Sequence, residues 1–231
     1  MLSRLCIFDI KLLNILKIRE KYNIIQSIKK IKIGGITMRQ SKPFMVEFSG
    51  TPEAGKTTAI TLVAKMLEDK GYKTMILKES AESLPEEITK GTFEANLWMH
   101  LITQAGILKA QYSNVDIVLI DRGIIDSKFY AWKFFEEGKC SAKQFSEFQK
   151  TCLSKITPDL FISVLALPET AIKRRGGEGR LVTKRYLEVY NSLFMKFLVT
   201  IPTKKKLIKS DELNQIELSN VIFEIILNEI P

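Results

Sequence analysis

Residues 50–58 carry the sequence pattern that binds a phosphate chain. They read GTPEAGKTT, which fills every fixed position of the motif G-x-x-x-x-G-K-[ST]. Glycines in such a loop let backbone N–H groups point at phosphate oxygens, and the dipole of the helix that follows favours negative charge. Lys56 is then expected to neutralise the β- and γ-phosphates, and the Thr57 hydroxyl to bind Mg²⁺. The predicted nucleotide-binding residues are Gly50, Thr51, Pro52, Glu53, Ala54, Gly55, Lys56, Thr57 and Thr58.

Acidic residues at the ends of two other apolar segments suit phosphoryl transfer. Asp121 and Arg122 end one segment: the carboxylate can hold the Mg²⁺ shell opposite Thr57, and the arginine can reach an acceptor's phosphate or hydroxyl. Glu79 ends the other segment, and its carboxylate can accept the proton of an attacking hydroxyl. A surface ion pair that terminates a strand, and an isolated surface acid, are the plainer alternatives for these residues.

A basic, glycine-rich stretch at residues 174–180, RRGGEGR, has the composition of a mobile lid. Its glycines allow movement, and its arginines offer planar donors that can close over a transferring phosphoryl group. A solvated basic loop is the alternative. The arginines concerned are Arg174, Arg175 and Arg180.

The elements expected around these residues alternate between strand and helix. Strands are predicted at residues 44–48, 73–78, 115–121, 159–165 and 204–209. Helices are predicted at residues 57–70, 92–112, 124–137, 141–156, from Pro168 into the basic stretch, and at 183–198 and 214–228. Alternating elements predict an α/β fold with a parallel five-stranded sheet, right-handed crossovers and helices on both faces.

Length, charge and cysteines are compatible with a single α/β domain. The chain has 231 residues and no apolar run near the ~20 that a membrane helix requires. Residues 1–37 hold 8 Lys/Arg and 2 Asp/Glu and so supply +6 of the net charge of +9, which leaves the rest too mildly basic to predict a nucleic-acid partner. The cysteines, Cys6, Cys140 and Cys152, include no C-x-x-C pair, which argues against a zinc site and fits a reducing cytoplasm.

Residues 1–37 differ in composition from the chain that follows. They contain no Ala, Pro or Val but 10 Ile and 6 Lys. The codons of Gly34 and Gly35 can read GGA-GGN, which contains the ribosome-binding sequence GGAGG a few nucleotides before the ATG of Met38. We therefore expect Met38 to be the start and 38–231 to be the domain. The extension is then untranslated or disordered in the native protein. Two alternatives stay open: a basic amphipathic helix that lies on a membrane, and a helix that packs on the domain.

The order of these motifs resembles the thymidylate kinase-like branch of P-loop nucleoside and nucleotide kinases. The similar segments are GTPEAGKTT, KES, LIDRGIIDS, and TPDLFISVLALPETAIKRR with the Gly/Arg stretch after it, and together they span residues 44–228. The resemblance implies a three-layer P-loop NTPase fold with a Gly/Arg lid, and ATP and Mg²⁺ as cofactors. It assigns acceptor and metal binding to Asp121, Arg122 and Ser127, the lid to the three arginines, and adenine binding to residues 210–213.

The chain departs from the thymidylate pattern in its acceptor residues. Residues 97–104 read LWMHLITQ and lack the arginine that binds the nucleotide's phosphate in thymidylate kinases. His100 and Gln104 share a helix face there and can line an acceptor pocket, although a lone histidine is also typical of a structural role. Glu79 stands where nucleoside kinases have a glutamate that faces a sugar hydroxyl. We therefore expect a neutral hydroxyl acceptor to be preferred over thymidylate.

These observations predict an ATP-dependent kinase that transfers the γ-phosphoryl to a nucleoside, a nucleoside monophosphate or a similar small acceptor, and a homodimer is compatible with them. A regulatory ATPase that acts through a protein partner is the alternative. The predicted catalytic residues are Lys56, Glu79, Asp121, Arg122, Arg174, Arg175 and Arg180. The predicted metal ligands are Thr57 and Asp121. The predicted acceptor-binding residues are Glu79, His100, Gln104, Arg122 and Ser127.

Overall fold

Five strands are connected by helices along residues 42–79, 83–152, 157–179 and 182–231, the part of the chain that the computed structural model describes, and this part contains seven helices. The strands are β1 (Phe44–Gly50), β2 (Thr74–Leu77), β3 (Ile117–Asp121), β4 (Leu160–Leu165) and β5 (Lys205–Lys209). The helices are α1 (Lys56–Asp69), α2 (Phe93–Gln111), α3 (Ile124–Glu136), α4 (Ala142–Thr151), α5 (Pro168–Arg175), α6 (Lys184–Thr200) and α7 (Gln215–Leu227). The predicted extension at residues 1–37, and Met38, lie outside the described residues.

All strands belong to one parallel sheet, in the order β2-β3-β1-β4-β5. Two predictions are thereby confirmed: the α/β class and the parallel five-stranded sheet. β1 lies in the middle: the connection that follows it runs to β2 at one edge, and the connection that follows its neighbour β4 runs to β5 at the other edge. Ligands of open α/β sheets bind outside the carboxyl ends of the strands at such a point.

Helices cover both faces of the sheet because side chains of a strand alternate between them. Val46 and Phe48 of β1 pack in a cluster with residues of α1 and α7. Met45, which points the other way, packs with Ile107 of α2 and Ile124 of α3. Strands buried on both faces explain why β3 is fully apolar up to Asp121.

Side-chain caps and one proline fix where several helices begin. Thr92 and Thr183 accept hydrogen bonds from the first turns of α2 and α6, and Pro168 opens α5 as predicted. α4 is shorter than the predicted 141–156, because Cys152 is extended with φ −74° and ψ 110°. No described helix combines the length and the apolar run that crossing a membrane requires.

Candidate functional site

The turn at residues 50–58, here called the 50–58 loop, connects the end of β1 to the start of α1. Its backbone takes positive φ at three positions, with φ 125° at Gly50, 60° at Glu53 and 91° at Gly55. At Gly50 a Cβ atom would lie 2.1 Å from the carbonyl oxygen of Val164 in β4. Only glycine fits that position, because the clash is with backbone of the neighbouring strand.

Side chains of α6 hold the first residues of the 50–58 loop. The Thr51 hydroxyl donates to Asn191 Oδ1 at 2.7 Å and accepts from the backbone N–H of Ala166 at 3.1 Å. The Tyr190 hydroxyl donates to the Gly50 carbonyl at 3.0 Å. The start of the loop is therefore fixed by protein hydrogen bonds from a helix and from the segment after β4.

Lys56, the first residue of α1, turns its ammonium group back toward the loop. Nζ donates to the carbonyl oxygens of Thr51 at 2.7 Å and Gly50 at 3.2 Å. Burial, together with the positive charge of Arg122, lowers the pKa of Lys56 to about 7. An anion bound nearby would favour the charged form of the amine and raise this pKa again.

Thr57 and Asp121 meet at the carboxyl ends of β1 and β3. The Thr57 hydroxyl donates to Asp121 Oδ2 at 2.6 Å. The other oxygen, Oδ1, is buried and has no hydrogen-bond partner among the described residues. A hydroxyl beside an unpaired carboxylate oxygen fits the oxygen-only preference of Mg²⁺. No cluster of three or more His, Cys, Asp or Glu residues that could hold a metal occurs in the described ranges, so a cation here would take its remaining ligands from water and phosphate.

Arg122 follows β3 and lies between two carboxylates. Its Nε atom is 3.2 Å from Glu79 Oε2, and its Nη1 atom is 3.6 Å from Asp126 Oδ1. The residue has φ 58°, an uncommon backbone conformation for a side chain of this size. Burial raises the pKa of Glu79, and the positive charge of Arg122 opposes that shift. Glu79 follows the edge strand β2, with β3 between it and β1, and reaches the site through this ion pair.

A buried carboxyl group on β1 supports the start of α3. Glu47 Oε1 accepts hydrogen bonds from the backbone N–H groups of Gly123 at 3.2 Å and Asp126 at 2.8 Å. Burial outweighs these bonds and raises the pKa of Glu47 to about 8. A Cβ atom at Gly123 would lie 2.5 Å from the Glu47 carboxyl group, so a larger residue here would have to displace that side chain. Ser49 donates to the Asp126 side chain, which links β1 to the same turn.

A cavity of about 460 Å³, here called the larger cavity, lies beside this cluster. Its walls include Pro52 of the 50–58 loop and three of the predicted site residues: Glu79, Arg122 and Ser127. Asp126, Tyr130 and Lys133 of α3 line it as well. The 50–58 loop, the Arg122–Glu79 ion pair and helix α3 therefore border the same cavity.

His100 and Gln104 are not among the residues that line the larger cavity. His100 is fully buried, with Nδ1 2.7 Å from Ser127 Oγ, Nε2 3.6 Å from Cys152 Sγ and its ring 4.6 Å from that of Phe148. Burial lowers the pKa of His100 to about 4, so the ring is neutral at physiological pH. Gln104 is buried too. The face of α2 that meets the cavity carries other residues: Ala95, Asn96, Met99 and Thr103.

The three arginines of residues 174–180 have different surroundings. Arg174 donates to the carbonyl oxygens of Ala54 at 3.3 Å, Ser210 at 2.5 Å and Leu213 at 3.2 Å, so it joins the 50–58 loop to the segment after β5. It also borders a second space of about 420 Å³, here called the smaller cavity, which Gly55 and Leu213 line. Arg175 is exposed, and Arg180 lies outside the described residues.

No protein-family model matches the chain.

The main site residues that the sequence reasoning missed lie on α3. Tyr130 and Lys133 follow Asp126 by four and seven residues, which places all three on one face of the helix. That spacing begins four residues after Arg122, so the Asp-Arg pair could have been extended along the helix. The sequence did not indicate that this face of α3 points into a cavity, because polar residues at helical spacing usually face solvent.

Proposed function

We propose that this chain is an ATP- and Mg²⁺-dependent kinase that transfers the γ-phosphoryl to a hydroxyl group of a small molecule. The observation that carries the proposal is the larger cavity, in which Pro52 of the 50–58 loop shares one space with Glu79 and Arg122. A phosphate chain on the loop and an acceptor in the cavity would then be neighbours, as in-line transfer requires.

The nucleotide would be held by backbone and few side chains. Backbone N–H groups of the 50–58 loop and the start of α1 would bind the phosphates, and Lys56 would leave its two carbonyl partners to neutralise them. Thr57 and Asp121 would hold Mg²⁺, which would offset negative charge on the phosphates. The smaller cavity, between Arg174 and the start of α7, is where we place adenine.

The acceptor end of the site suits a neutral hydroxyl better than a phosphate dianion. Two carboxylates already compensate the single positive charge of Arg122. In the transfer, the acceptor oxygen forms a bond to the γ-phosphorus, the bond from that phosphorus to the bridging oxygen of ADP breaks, and the hydroxyl proton passes to Glu79. A raised pKa makes Glu79 a better proton acceptor than an ordinary carboxylate.

Residues 174–180 would act as a lid in this proposal, with Arg175 and Arg180 as candidate donors to the transferring group. Arg174 is assigned a different task, because its hydrogen bonds join the walls of the proposed adenine site. The free cysteines Cys140 and Cys152 suit the reducing cytoplasm expected from the sequence.

ADP release with a panel of acceptors tests the proposal. Nucleosides, nucleoside monophosphates and unrelated alcohols are each added to the chain with ATP and Mg²⁺, and water alone is the control. A kinase releases ADP at a rate that depends on one class of acceptor. A rate that no small molecule changes, and that a protein partner raises, would favour a regulatory ATPase instead.

A further inference from the structure

A lysine is buried in the wall of the larger cavity. Lys133, in the last turn of α3, is 4% exposed, and its Nζ atom is 5.5 Å from the ring centre of Tyr186 and 5.8 Å from that of Phe134. Both aromatic residues also line the cavity. An ammonium group in such surroundings loses most of its hydration, so its position carries a free-energy cost that a surface lysine does not have.

The carboxylate of Glu137 forms ion pairs with two lysines. Lys133 Nζ is 2.6 Å from Glu137 Oε1, and Lys139 Nζ is 2.7 Å from Glu137 Oε2. Although burial alone would raise it, the pKa of Glu137 is held below its ordinary value by these two lysines. Two lysine side chains therefore share a single carboxylate, so basic groups outnumber acidic ones in this cluster by one.

A third lysine adds to this excess. Lys90 lines the larger cavity just before α2, and Phe93, the first residue of α2, packs in one cluster with Ala131 and Phe134 of α3. Lys90 is three residues before Phe93, so the segment that carries it approaches this end of α3. The acidic residues among the cavity-lining groups, Glu79 and Asp126, are the two that flank Arg122. The cavity is thus polarised, with compensated charge at one end and positive charge at the other.

The two ends are a small molecule's length apart. Asp126 and Lys133 are separated by seven residues of α3, which is about 10 Å along the helix axis at 1.5 Å per residue. A compound that fills the space can therefore place one group at Arg122 and another at the lysines.

We propose that the Lys133–Lys139 end of the larger cavity binds an anionic group, a carboxylate or a phosphate ester, that the acceptor carries at the end remote from its reacting hydroxyl. This inference rests on the proposed kinase function for the identity of the ligand as an acceptor. It narrows the substrate class to hydroxyl compounds with a second, charged end. Charge-assisted hydrogen bonds from lysine in a poorly hydrated site give such a group its affinity.

Binding without ATP tests the subsite separately from catalysis. Calorimetry and thermal shift compare thymidine with 5-carboxy-2′-deoxyuridine for the carboxylate, and 1,8-octanediol with 8-hydroxyoctyl phosphate for the phosphate. We expect at least one charged compound to bind roughly tenfold more tightly than its neutral match, the effect of one hydrogen bond to a charged group. Lys133→Met and Lys139→Met should each remove most of that preference, and Glu137→Gln should increase it.

Two variants at exposed lysines separate loss of the subsite from loss of the fold. The Lys139 side chain is 58% exposed, so Lys139→Met tests the subsite even if Lys133→Met unfolds the chain. Lys143→Met, on the exposed side of α4, should leave the preference unchanged. Equal or absent binding of charged and neutral compounds, or a preference that survives both lysine variants, overturns the inference. A chain that binds the charged compounds but releases no ADP with them keeps the subsite and loses the kinase proposal.

Discussion

Lys56 is the side chain whose removal separates the proposed chemistry from the fold most cleanly. Its ammonium contacts backbone carbonyls of the 50–58 loop, while the helix it begins is held by apolar residues on another face. We predict that Lys56→Met lowers acceptor-dependent ADP release at least about 100-fold, as loss of a single charge-stabilising donor does in other enzymes. The melting temperature should hardly change.

Lys65→Met is the matched control for this variant, because Lys65 is exposed on the same helix. ADP release by Lys56→Met at the rate of the Lys65→Met chain would show that the loop lysine has no part in turnover.

Glu79 is the proposed proton acceptor, and its ionisation sets a pH dependence. Because burial raises its pKa, the carboxylate becomes protonated above the usual carboxyl range as pH falls, and turnover should fall with it. We predict that Glu79→Gln lowers turnover at least ~10²-fold and removes this acidic limb of the rate profile. The measurement is ADP release from about pH 4.5 to 8, with Glu87→Gln, a change at an exposed residue, as the control. A Glu79→Gln enzyme that keeps its rate with hydroxyl acceptors contradicts the assignment.

At the scale of elements, the start of α3 depends on the buried carboxyl group of Glu47. Its pKa of about 8 in the folded chain compares with an ordinary value of 4.5. The folded state therefore binds the proton more tightly than the unfolded state, and the free energy of unfolding should decrease as pH rises from 4.5 to about 8. We predict that Glu47→Gln, which keeps an oxygen for Gly123 N–H and Asp126 N–H, flattens this decrease.

Denaturant unfolding at several pH values measures the effect, with Glu87→Gln again as the exposed control. If the free energy of unfolding depends on pH in the same way for the native chain and for Glu47→Gln, the carboxyl group of Glu47 is ionised in the folded state at neutral pH.

Two adjacent arginines at the end of α5 should give opposite kinetic results. Both residues are exposed, but the Arg174 guanidinium joins the 50–58 loop to the segment after β5, whereas the Arg175 guanidinium lies beside Gly179. We predict that Arg174→Ala raises the KM for ATP several-fold, because the walls of the proposed adenine site lose a shared partner. Arg175→Ala should lower turnover with little effect on ATP affinity. Steady-state kinetics at varied ATP separate the two, and identical behaviour of both variants would contradict this division.

The order and type of the elements were predictable because their signals are local. Apolar runs, helical spacing and a proline at the first position of α5 place each element within a few residues. The 50–58 loop and the Asp121–Arg122 pair follow from motifs in the same way. The surroundings of His100 and Lys133 were not predictable, because contacts between α2, α3 and α4 decide which face of each helix is buried. A buried lysine is rare enough that a sequence pattern places it in solvent.

At the scale of the whole molecule, Lys42–Pro231 form one compact unit. The composition break before Met38 leads us to predict that a chain beginning at Met38 is folded and as active as the longer chain. Equal melting temperatures and equal ADP release from the two chains are the expected results. A large loss of thermal stability on removing residues 1–37 would show that they pack on the domain, and vesicle binding by the longer chain alone would support a membrane-surface helix.

The hydrogen bonds that Tyr190 and Asn191 make to the 50–58 loop reduce the conformational entropy of the loop in the folded chain. Because helix α6 fixes Gly50 and Thr51, the conformational freedom of that turn is lost once, when the chain folds, and not at each encounter with an anion. In the proposed complex Lys56 would be the exception, since it would exchange its two carbonyl partners for the anion. The backbone at Gly50 and Thr51 is thus preorganised, and in the proposed complex Lys56 would be the side chain that reorganises on association.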